Sequence, residues 1–279
     1  MNRKEALARA RKLLIASNID DAALEGEILL RHVLGISRAQ LFTSLDSEII
    51  QRDMDTLKKL VSRRITGEPS AYITGSKEFY GLEFIVNQHV LIPRPETELL
   101  VEQAINLCLN HKFTTVADIG TGCGAIAVSL AANITTVKIY ATDISAQSLK
   151  VAEQNCIKHG VKERVTLIQG DMLEPLRESV DVIVANLPYV READIPGQGT
   201  LSFEPNLALN GGEKGLDKIE QVCQQAGDKL KRKGKMLLEI GQGQAEDTKV
   251  ILHKYFPSGI IDIKKDLAGI ERVVILRLT

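Results

Sequence analysis

A predicted buried strand that ends in four chemically distinct residues is the strongest functional signal in the sequence. The apolar run at residues 180–185 predicts the strand, and it is followed directly by Asn186, Leu187, Pro188 and Tyr189. These residues bring an amide oxygen, a rigid backbone carbonyl and a flat aromatic ring to one strand tip. Such a set suits a site that holds a planar amide or amino group and presents its nitrogen to an electrophile.

A second motif, upstream of the first, predicts a pocket for a nucleotide-like cofactor. After Asp118 the chain continues through a glycine loop that we define as Gly120, Thr121, Gly122, Cys123 and Gly124. Its glycines permit a tight turn and a close approach of the backbone to a ligand. The following helix N-terminus offers N–H groups to a carboxylate or phosphate. The motif fits either adenosylmethionine or NAD, or a plain strand–helix turn.

Two further predicted strands end in acidic residues. Asp143 follows the glycines by about twenty residues, the spacing of a ribose-binding acid. An ionised carboxylate only accepts hydrogen bonds, so it can bind both ribose hydroxyls. Its alternative role is a helix N-cap, for which Ser145 is the better candidate. At the next strand end, Asp171 could bind an adenine amino group and Met172 could pack on the ring, or the pair could form an ordinary turn.

Strand and helix patterns alternate from residue 115 onward. Strands are predicted at residues 115–119, 137–142, 165–169, 180–185, 235–240, 259–263 and 272–278, and helices at 125–133, 146–159 and 216–232. This alternation predicts a mostly parallel, doubly wound α/β sheet. The link at residues 264–271 is too short for a parallel crossover, so we expect the last two strands to pair antiparallel.

The first seventy or so residues carry helical patterns instead. The first helix has an apolar face at Leu7, Ala10, Leu13 and Leu14. The second begins near Asp20 or Asp21 and ends at Gly35. The third is predicted over residues 47–66, with these side chains inward: Ile49, Ile50, Met54, Leu57, Leu60 and Val61. Residues 79–86 then predict a β-hairpin, and two prolines at 93 and 95 precede a helix that begins near Thr97.

Composition narrows the class of protein. The 279 residues are 44% hydrophobic and 25% charged, with a formal net charge of −1, so nothing indicates bulk nucleic-acid binding. The four cysteines have no spacing typical of a zinc site or a disulfide framework. No signal sequence opens the chain, and no apolar run approaches the roughly 18 residues of a membrane span. We therefore expect a cytoplasmic protein without a membrane partner.

Taken in order, the four strand ends resemble those of amino-methyltransferases whose fourth strand ends in Asn-Pro-Pro-Tyr. Residues 71–79 and 91–98, together with 203–216, resemble the HemK/PrmC family of protein-(glutamine-N5) methyltransferases. The resemblance covers the whole chain. It departs at Leu187, where the family usually has Pro, although Pro188 still favours an extended backbone there.

The resemblance implies a class I (Rossmann-like) methyltransferase domain with a seven-stranded sheet at residues 96–279. A helical substrate-recognition domain at 1–72 and a β-hairpin linker at 73–95 would precede it. The implied reaction transfers a methyl group from S-adenosyl-L-methionine, without a metal, to the glutamine N5 of the Gly-Gly-Gln motif in peptide chain release factors. We expect a monomer, because one active site per chain needs no partner subunit.

The resemblance also implies a role for each site residue. Asn186 Oδ1 and the Leu187 carbonyl would accept the two amide hydrogens of the substrate, and Tyr189 would stack on the amide plane beside Pro188. The residues implied to bind the cofactor are Gly120, Thr121, Gly122, Cys123, Gly124, Asp143, Asp171, Met172 and Asn186.

Three other functions account for part of the sequence. An adenine-N6 nucleic-acid methyltransferase uses the same strand-tip motif for a flipped base, but the chain has no added basic segment. An NAD-dependent oxidoreductase explains the glycines and Asp143 but gives residues 186–189 no role. A non-catalytic binding module explains only the helical region.

Overall fold

The structure is a computed structural model that describes residues 1–278 and divides into two compact units. The helical unit comprises Met1–Ser76 together with Pro196–Phe203. The sheet unit comprises the remaining residues. None of the helices within residues 1–278 has the length and apolar character needed to cross a membrane.

The helical unit contains five helices: α1 (Arg3–Ala16), α2 (Ala22–Leu34), α3 (Arg38–Thr43), α4 (Gln51–Ile65) and α5 (Ser70–Thr74). A capping box between Asn2 and Glu5 starts α1, and a left-handed Gly35 ends α2 as predicted. Apolar side chains from α1, α2 and α4 form the core, including Leu14, Leu29 and Leu57.

Several helical predictions need correction. The third predicted helix begins at Gln51 rather than 47, because a bridge between Asn2 and Glu48 holds the preceding backbone extended. Ile50 is therefore 62% exposed instead of facing inward, and Leu13 is 43% exposed on α1. Helices α3 and α5 were not predicted, since six and five residues are too few for a clear apolar period.

A two-stranded hairpin follows, with β1 at Ser76–Phe79 and β2 at Leu82–Ile85. Tyr80 and Gly81 between them have φ values of 50° and 71°, the conformation of a two-residue primed turn. Tyr80 adopts this strained geometry while its N–H donates to Glu98 Oε1 at 2.8 Å. That bond fixes the hairpin to the start of the next helix.

Seven strands form the main sheet, as predicted: β3 (Thr115–Ile119), β4 (Lys138–Asp143), β5 (Val165–Gln169), β6 (Val180–Ala185), β7 (Leu230–Glu239), β8 (Ile260–Lys265) and β9 (Glu271–Arg277). Their order is β5-β4-β3-β6-β7-β9-β8. Within this sheet, strands β3 to β7 pair in parallel, and β9 is antiparallel to both β7 and β8. The predicted α/β fold class and its antiparallel end are confirmed.

The helices of this unit are α6 (Thr97–His111), α7 (Ala125–Asn133), α8 (Ala146–Lys158), α9 (Asp217–Gln225) and α10 (Ala245–Tyr255). The helix predicted over 216–232 is wrong in its last turns, because β7 already begins at Leu230. A register shift lets Val180 face Leu230 while Val182 faces Lys235, so the charged residues between them bulge out of the ladder. Helix α10 was not predicted from the sequence.

Parallel pairing sets the predicted motifs side by side. Ile119 lies opposite both Thr142 and Ala185, and Asp143 lies opposite Gln169. The residues that follow these strands therefore meet at one edge of the sheet, where ligands bind in open α/β folds.

Candidate active site

A cavity of about 250 Å³ opens at this edge of the sheet. Its wall includes these predicted site residues: Gly120, Gly122, Asp143, Asp171, Met172, Asn186, Leu187 and Pro188. Four other predicted residues do not line it: Thr121, Cys123, Gly124 and Tyr189. The structure thus brings all four strand ends to one cavity but places part of the glycine loop, and the last residue of the 186–189 motif, away from its wall.

The glycine loop takes its shape from a buried carboxylate below it. Asp118 is fully buried, and its Oδ2 accepts the Thr121 hydroxyl at 2.6 Å and the Ala127 N–H at 3.1 Å. Burial raises the pKa of Asp118 to about 7. Gly120 and Gly122 have φ values of 69° and 57°, which L side chains rarely adopt. Thr121 therefore shapes the loop from below rather than facing the cavity.

Cys123 and Gly124 form the buried end of the loop. The Cys123 carbonyl accepts a hydrogen bond from Asn155 Nδ2 at 2.8 Å, and burial raises the pKa of the thiol to about 12. Gly124, with a φ of 82°, precedes α7, and a Cβ there would lie 3.3 Å from Ala152 Cβ. Both residues hold the loop against α8 and do not reach the cavity.

Asp143 connects the glycine loop to the next helix. Its Oδ2 accepts the Gly122 N–H at 2.9 Å, and its Oδ1 accepts the Ser145 N–H at 2.8 Å. Burial raises the pKa of this carboxyl. Ser145 caps α8 by accepting the Ser148 N–H, as predicted. Each Asp143 oxygen has a second lone pair, so the carboxylate can also accept ligand hydroxyls.

Asp171 and Met172 lie together on the cavity wall. Asp171 Oδ2 accepts Gln221 Nε2 at 2.6 Å, which positions the carboxylate from α9. Met172 is 8% exposed and has a φ of 46°, an uncommon backbone for a side chain of this size. Met172, with its backbone in the left-handed conformation, thus places an apolar side chain beside the Asp171 carboxylate.

The Asn186 amide is held by the first residue of α6. Its Nδ2 donates to Thr97 Oγ1 at 2.9 Å. Glu239 ends β7 nearby, where burial raises the pKa of its carboxyl to about 7 and the Thr97 side chain acts to lower it. Because Nδ2 is engaged, the Oδ1 atom of Asn186 remains the acceptor for a ligand in the cavity.

Leu187 supplies both a cavity wall and a core contact. The side chain is only 3% exposed and packs in the apolar core beneath the sheet edge. A Cβ on Gly120 would lie 3.4 Å from Leu187 Cδ2. The Leu187 side chain thus supports the glycine loop. This contact depends on the leucine side chain, whereas the role expected at this position uses only the backbone carbonyl.

Tyr189 lies outside the cavity wall, and its ring is partly buried. Its hydroxyl donates to Glu239 Oε1 at 3.4 Å, and its carbonyl accepts Gln244 Nε2 at 3.1 Å. Burial raises the pKa of the phenol to about 12, and the nearby Glu239 charge acts in the same direction. The phenol is therefore a neutral donor at physiological pH.

Several cavity residues were missed by the sequence analysis. The segment after the hairpin contributes Gln88, His89, Val90 and Leu91, and the later loop contributes Pro205, Leu207 and Ala208. Buried Glu204 joins the two segments, since it accepts the Ile92 N–H at 3.1 Å and pairs with the Arg94 guanidinium. The sequence signal that could have revealed these residues is the acid at position 204, between Phe203 and Pro205. A carboxylate buried beside such apolar residues requires a partner.

Two family models match the chain, the PrmC N-terminal domain at residues 5–75 and the methyltransferase small domain at residues 95–199. A release factor glutamine methyltransferase from Moorella thermoacetica is 38% identical over 98% of this chain and 97% of that protein. The chain belongs to the release factor glutamine methyltransferase family. The family predicted from the motifs is thereby confirmed.

Two further relatives bear on length and fold. A bifunctional methyltransferase from Rickettsia typhi is 36% identical over 97% of this chain, which spans 56% of that longer protein. The crystal structure of a methyltransferase from Pyrococcus furiosus aligns with a TM-score of 0.53 and 18% identity, over 77% of this chain and 96% of that one. This second likeness concerns the fold alone, and it agrees with the class I sheet described above.

Proposed function

We propose that the protein transfers a methyl group from S-adenosyl-L-methionine to the side-chain N5 of glutamine in the Gly-Gly-Gln motif of peptide chain release factors. The observation that carries this proposal is the Asn186 amide, whose nitrogen is engaged by Thr97 and whose oxygen stays available at the cavity. Membership of the release factor glutamine methyltransferase family supports the choice of substrate.

The cavity residues suit the proposed methyl donor. Asp143 would accept the ribose hydroxyls, and Asp171 would accept the adenine amino group with Met172 against the ring. The backbone at Gly120 and Gly122 permits close approach of the donor. When bound, S-adenosyl-L-methionine supplies a methyl group that its sulfonium charge already activates, so we propose that the site needs no metal.

The substrate nitrogen would be gripped by two acceptors. An amide nitrogen is a weak nucleophile, because its lone pair is delocalised into the carbonyl. Asn186 Oδ1 and the Leu187 carbonyl would accept its two hydrogens and favour positive charge on it as the new N–C bond forms. The nitrogen gains a methyl group and then loses one of these protons to solvent. Positioning and electrostatics, rather than a strong base, would account for the rate.

For Tyr189 and Pro188 we propose supporting roles. The partly buried Tyr189 ring lies outside the cavity, where it would stack on the glutamine amide from the side of the protein substrate. Pro188 would restrict the backbone at Leu187 to extended geometry and so aim its carbonyl.

The helical unit would bind the release factor. A groove on it is lined by exposed Lys4, Arg11 and Lys12 and by the apolar side chains of Ile15 and Phe42, which are 55% and 47% exposed.

We expect Arg11→Glu/Lys12→Glu to raise KM for intact release factor but not for a Gly-Gly-Gln peptide. Lys59→Glu, an exposed charge change on α4 outside the groove, is the control. Equal KM values for all three proteins would exclude this role.

The direct test uses radiolabelled S-adenosyl-L-methionine with intact release factor, a Gly-Gly-Glu variant of that factor, and double-stranded DNA. Mass spectrometry of the product should place one methyl group on the glutamine of the motif, with no label on the variant or the DNA. Label on DNA adenine, or on the Gly-Gly-Glu factor, would contradict the proposal. We propose a cytoplasmic monomer, because one active site per chain needs no partner subunit; light scattering checks the oligomeric state.

A further inference from the structure

A glycine-rich segment at residues 210–215 packs directly on the backbone of Pro188 and Tyr189. A Cβ on Gly211 would lie 2.7 Å from the Pro188 carbonyl oxygen, and a Cβ on Gly215 would overlap the Tyr189 carbonyl oxygen. Only glycine permits so close an approach of two backbones. The segment therefore encloses the strand tip where the proposed mechanism needs a fixed backbone.

Gln244 joins this segment to the turn that follows β7. Its Nε2 donates to the carbonyls of Tyr189 and Gly215 at 3.1 Å and 3.2 Å, and its Oε1 accepts the Gly241 N–H at 2.8 Å. A glutamine amide has two donor hydrogens and one acceptor oxygen, so both polar atoms of this side chain are engaged. Gln244 is the N-cap residue of α10, yet its side chain makes no capping bond. The side chain therefore supports the Tyr189 backbone rather than the helix.

The Tyr189 ring lies against Gly241. A Cβ on Gly241 would be 3.2 Å from Tyr189 Cδ2 and 2.9 Å from Gln244 Oε1. Gly241 does not have a positive φ, so the available space, and not the backbone conformation, requires glycine here. The tyrosine hydroxyl donates to Glu239 Oε1 at 3.4 Å. Tyr189 is thus held at its carbonyl, at its ring edge and at its hydroxyl.

We propose that Gly241 and Gln244 are positioning residues for methyl transfer, which fix the Tyr189 ring and backbone where the substrate amide binds. The inference rests on the proposed function and deepens it. A misplacement of about 1 Å can cost about 10²-fold in rate, so a fixed stacking surface contributes to catalysis. Neither residue lines the cavity, so both should act on the substrate amide and not on cofactor binding.

The experiment measures single-turnover methyl transfer to release factor at saturating S-adenosyl-L-methionine. Gly241→Ala would displace the Tyr189 ring by a few tenths of an ångström, and we expect the rate to fall roughly fivefold to tenfold. Gly227→Ala is the matched control, because Gly227 has no positive φ either and a Cβ there would meet nothing within 4 Å. It should leave the rate unchanged.

Gln244→Glu tests the hydrogen bonds of the side chain. It keeps the acceptor for the Gly241 N–H but replaces the donor nitrogen with an oxygen that faces two carbonyls. We expect the rate to fall roughly tenfold, the effect of about one hydrogen bond. Calorimetric affinity for S-adenosyl-L-methionine should stay unchanged in Gln244→Glu and in Gly241→Ala. A loss of affinity as large as the loss of rate would overturn the positioning role.

A double-mutant cycle separates action through the Tyr189 ring from a general loss of structure. Gly241→Ala should lose most of its effect in a Tyr189→Ala background, which has no ring to displace, and keep it in Tyr189→Phe. If Tyr189→Ala is inactive, the Tyr189→Phe background and the cofactor affinities still decide.

The outcomes also distinguish this inference from the proposed function. A wild type that labels no glutamine would contradict the proposed function. A wild type that labels glutamine, alongside a Gly241→Ala variant as active as Gly227→Ala, would overturn only this inference. An equal effect of Gly241→Ala with and without the Tyr189 ring would do the same.

Discussion

Asn155 on α8 gives the sharpest prediction about how the cofactor loop is held. The residue is fully buried, and its side chain makes three hydrogen bonds. Oδ1 accepts the Ile85 N–H at 2.7 Å, and Nδ2 donates to the Ile85 carbonyl at 2.9 Å and the Cys123 carbonyl at 2.8 Å. One side chain thus joins hairpin strand β2 to the glycine loop.

Asn155→Ala removes all three bonds. At about 1 kcal/mol net for each, the free energy of unfolding should fall by about 3 kcal/mol, and by more if the Cys123 carbonyl stays buried without a donor. For a chain of this size each kcal/mol lowers Tm by roughly 2–4 °C, so we expect a decrease of about 6–12 °C. The loosened glycine loop should also bind S-adenosyl-L-methionine more weakly.

Thermal unfolding followed by circular dichroism, together with calorimetric titration of the cofactor, measures both effects. Asn133→Ala is the matched control, because Asn133 is exposed and makes one side-chain hydrogen bond within α7, to the Ser129 carbonyl. Its effect should stay within about 0.5 kcal/mol. Asn155→Asp keeps the acceptor for Ile85 N–H but loses both donated bonds, so it should also destabilise. If Asn155→Ala matched Asn133→Ala in Tm and in cofactor affinity, the bridging role would be refuted.

The other predictions concern single site residues. Asp143→Ala should weaken cofactor binding at least tenfold, since charge-assisted bonds contribute about 1.5–3 kcal/mol each; unchanged affinity by calorimetry in a folded variant would exclude Asp143. Asn186→Ala should lower single-turnover methyl transfer by about 10²–10³ with a smaller effect on cofactor affinity, and an active variant would contradict the grip on the amide. Leu187→Pro retains the backbone carbonyl, so it should lose some stability with its buried packing but keep activity; a folded, inactive variant would contradict this role. Asp118 binds its proton more tightly in the folded protein, so the free energy of unfolding should fall as pH rises from about 4 to about 7. Urea denaturation at a series of pH values measures this fall. Asp118→Asn should make it smaller, and an unchanged dependence on pH would contradict this role of Asp118.

Strand positions in the sheet unit followed from the sequence because their signal is local. The predicted ranges 115–119, 165–169 and 180–185 match β3, β5 and β6, because each is a short run of strand-forming residues that is followed by turn residues. The start of β7 was misplaced because Lys231, Arg232 and Lys233 interrupt its apolar pattern, and only the pairing of Leu230 with Val180 shows that the strand begins earlier.

The supporting contacts of the site could not be predicted in the same way. Thr97 and Asn186 are 89 residues apart, and Asn155 and Ile85 are 70 apart. No periodicity or spacing rule pairs residues over such distances, since the sheet order decides which meet. Glu239 gave one local signal, an acid within the apolar run that surrounds it, and such acids are seldom buried without partners. Strand ends can thus be predicted from sequence, whereas the bonds that orient their side chains require the fold.

The segment Pro196–Phe203 has a consequence for how this protein is dissected. It belongs to the helical unit, where a Cβ on Gly67 would lie 3.3 Å from Phe203 Cε2, yet residues of the sheet unit flank it on both sides. The backbone therefore passes between the units at 76/77, at 195/196 and at 203/204. Cutting the chain after Ser76 frees the first five helices but leaves eight residues that have lost the surface on which they pack. Point substitutions, not truncations, are the sound way to separate the two units in this protein.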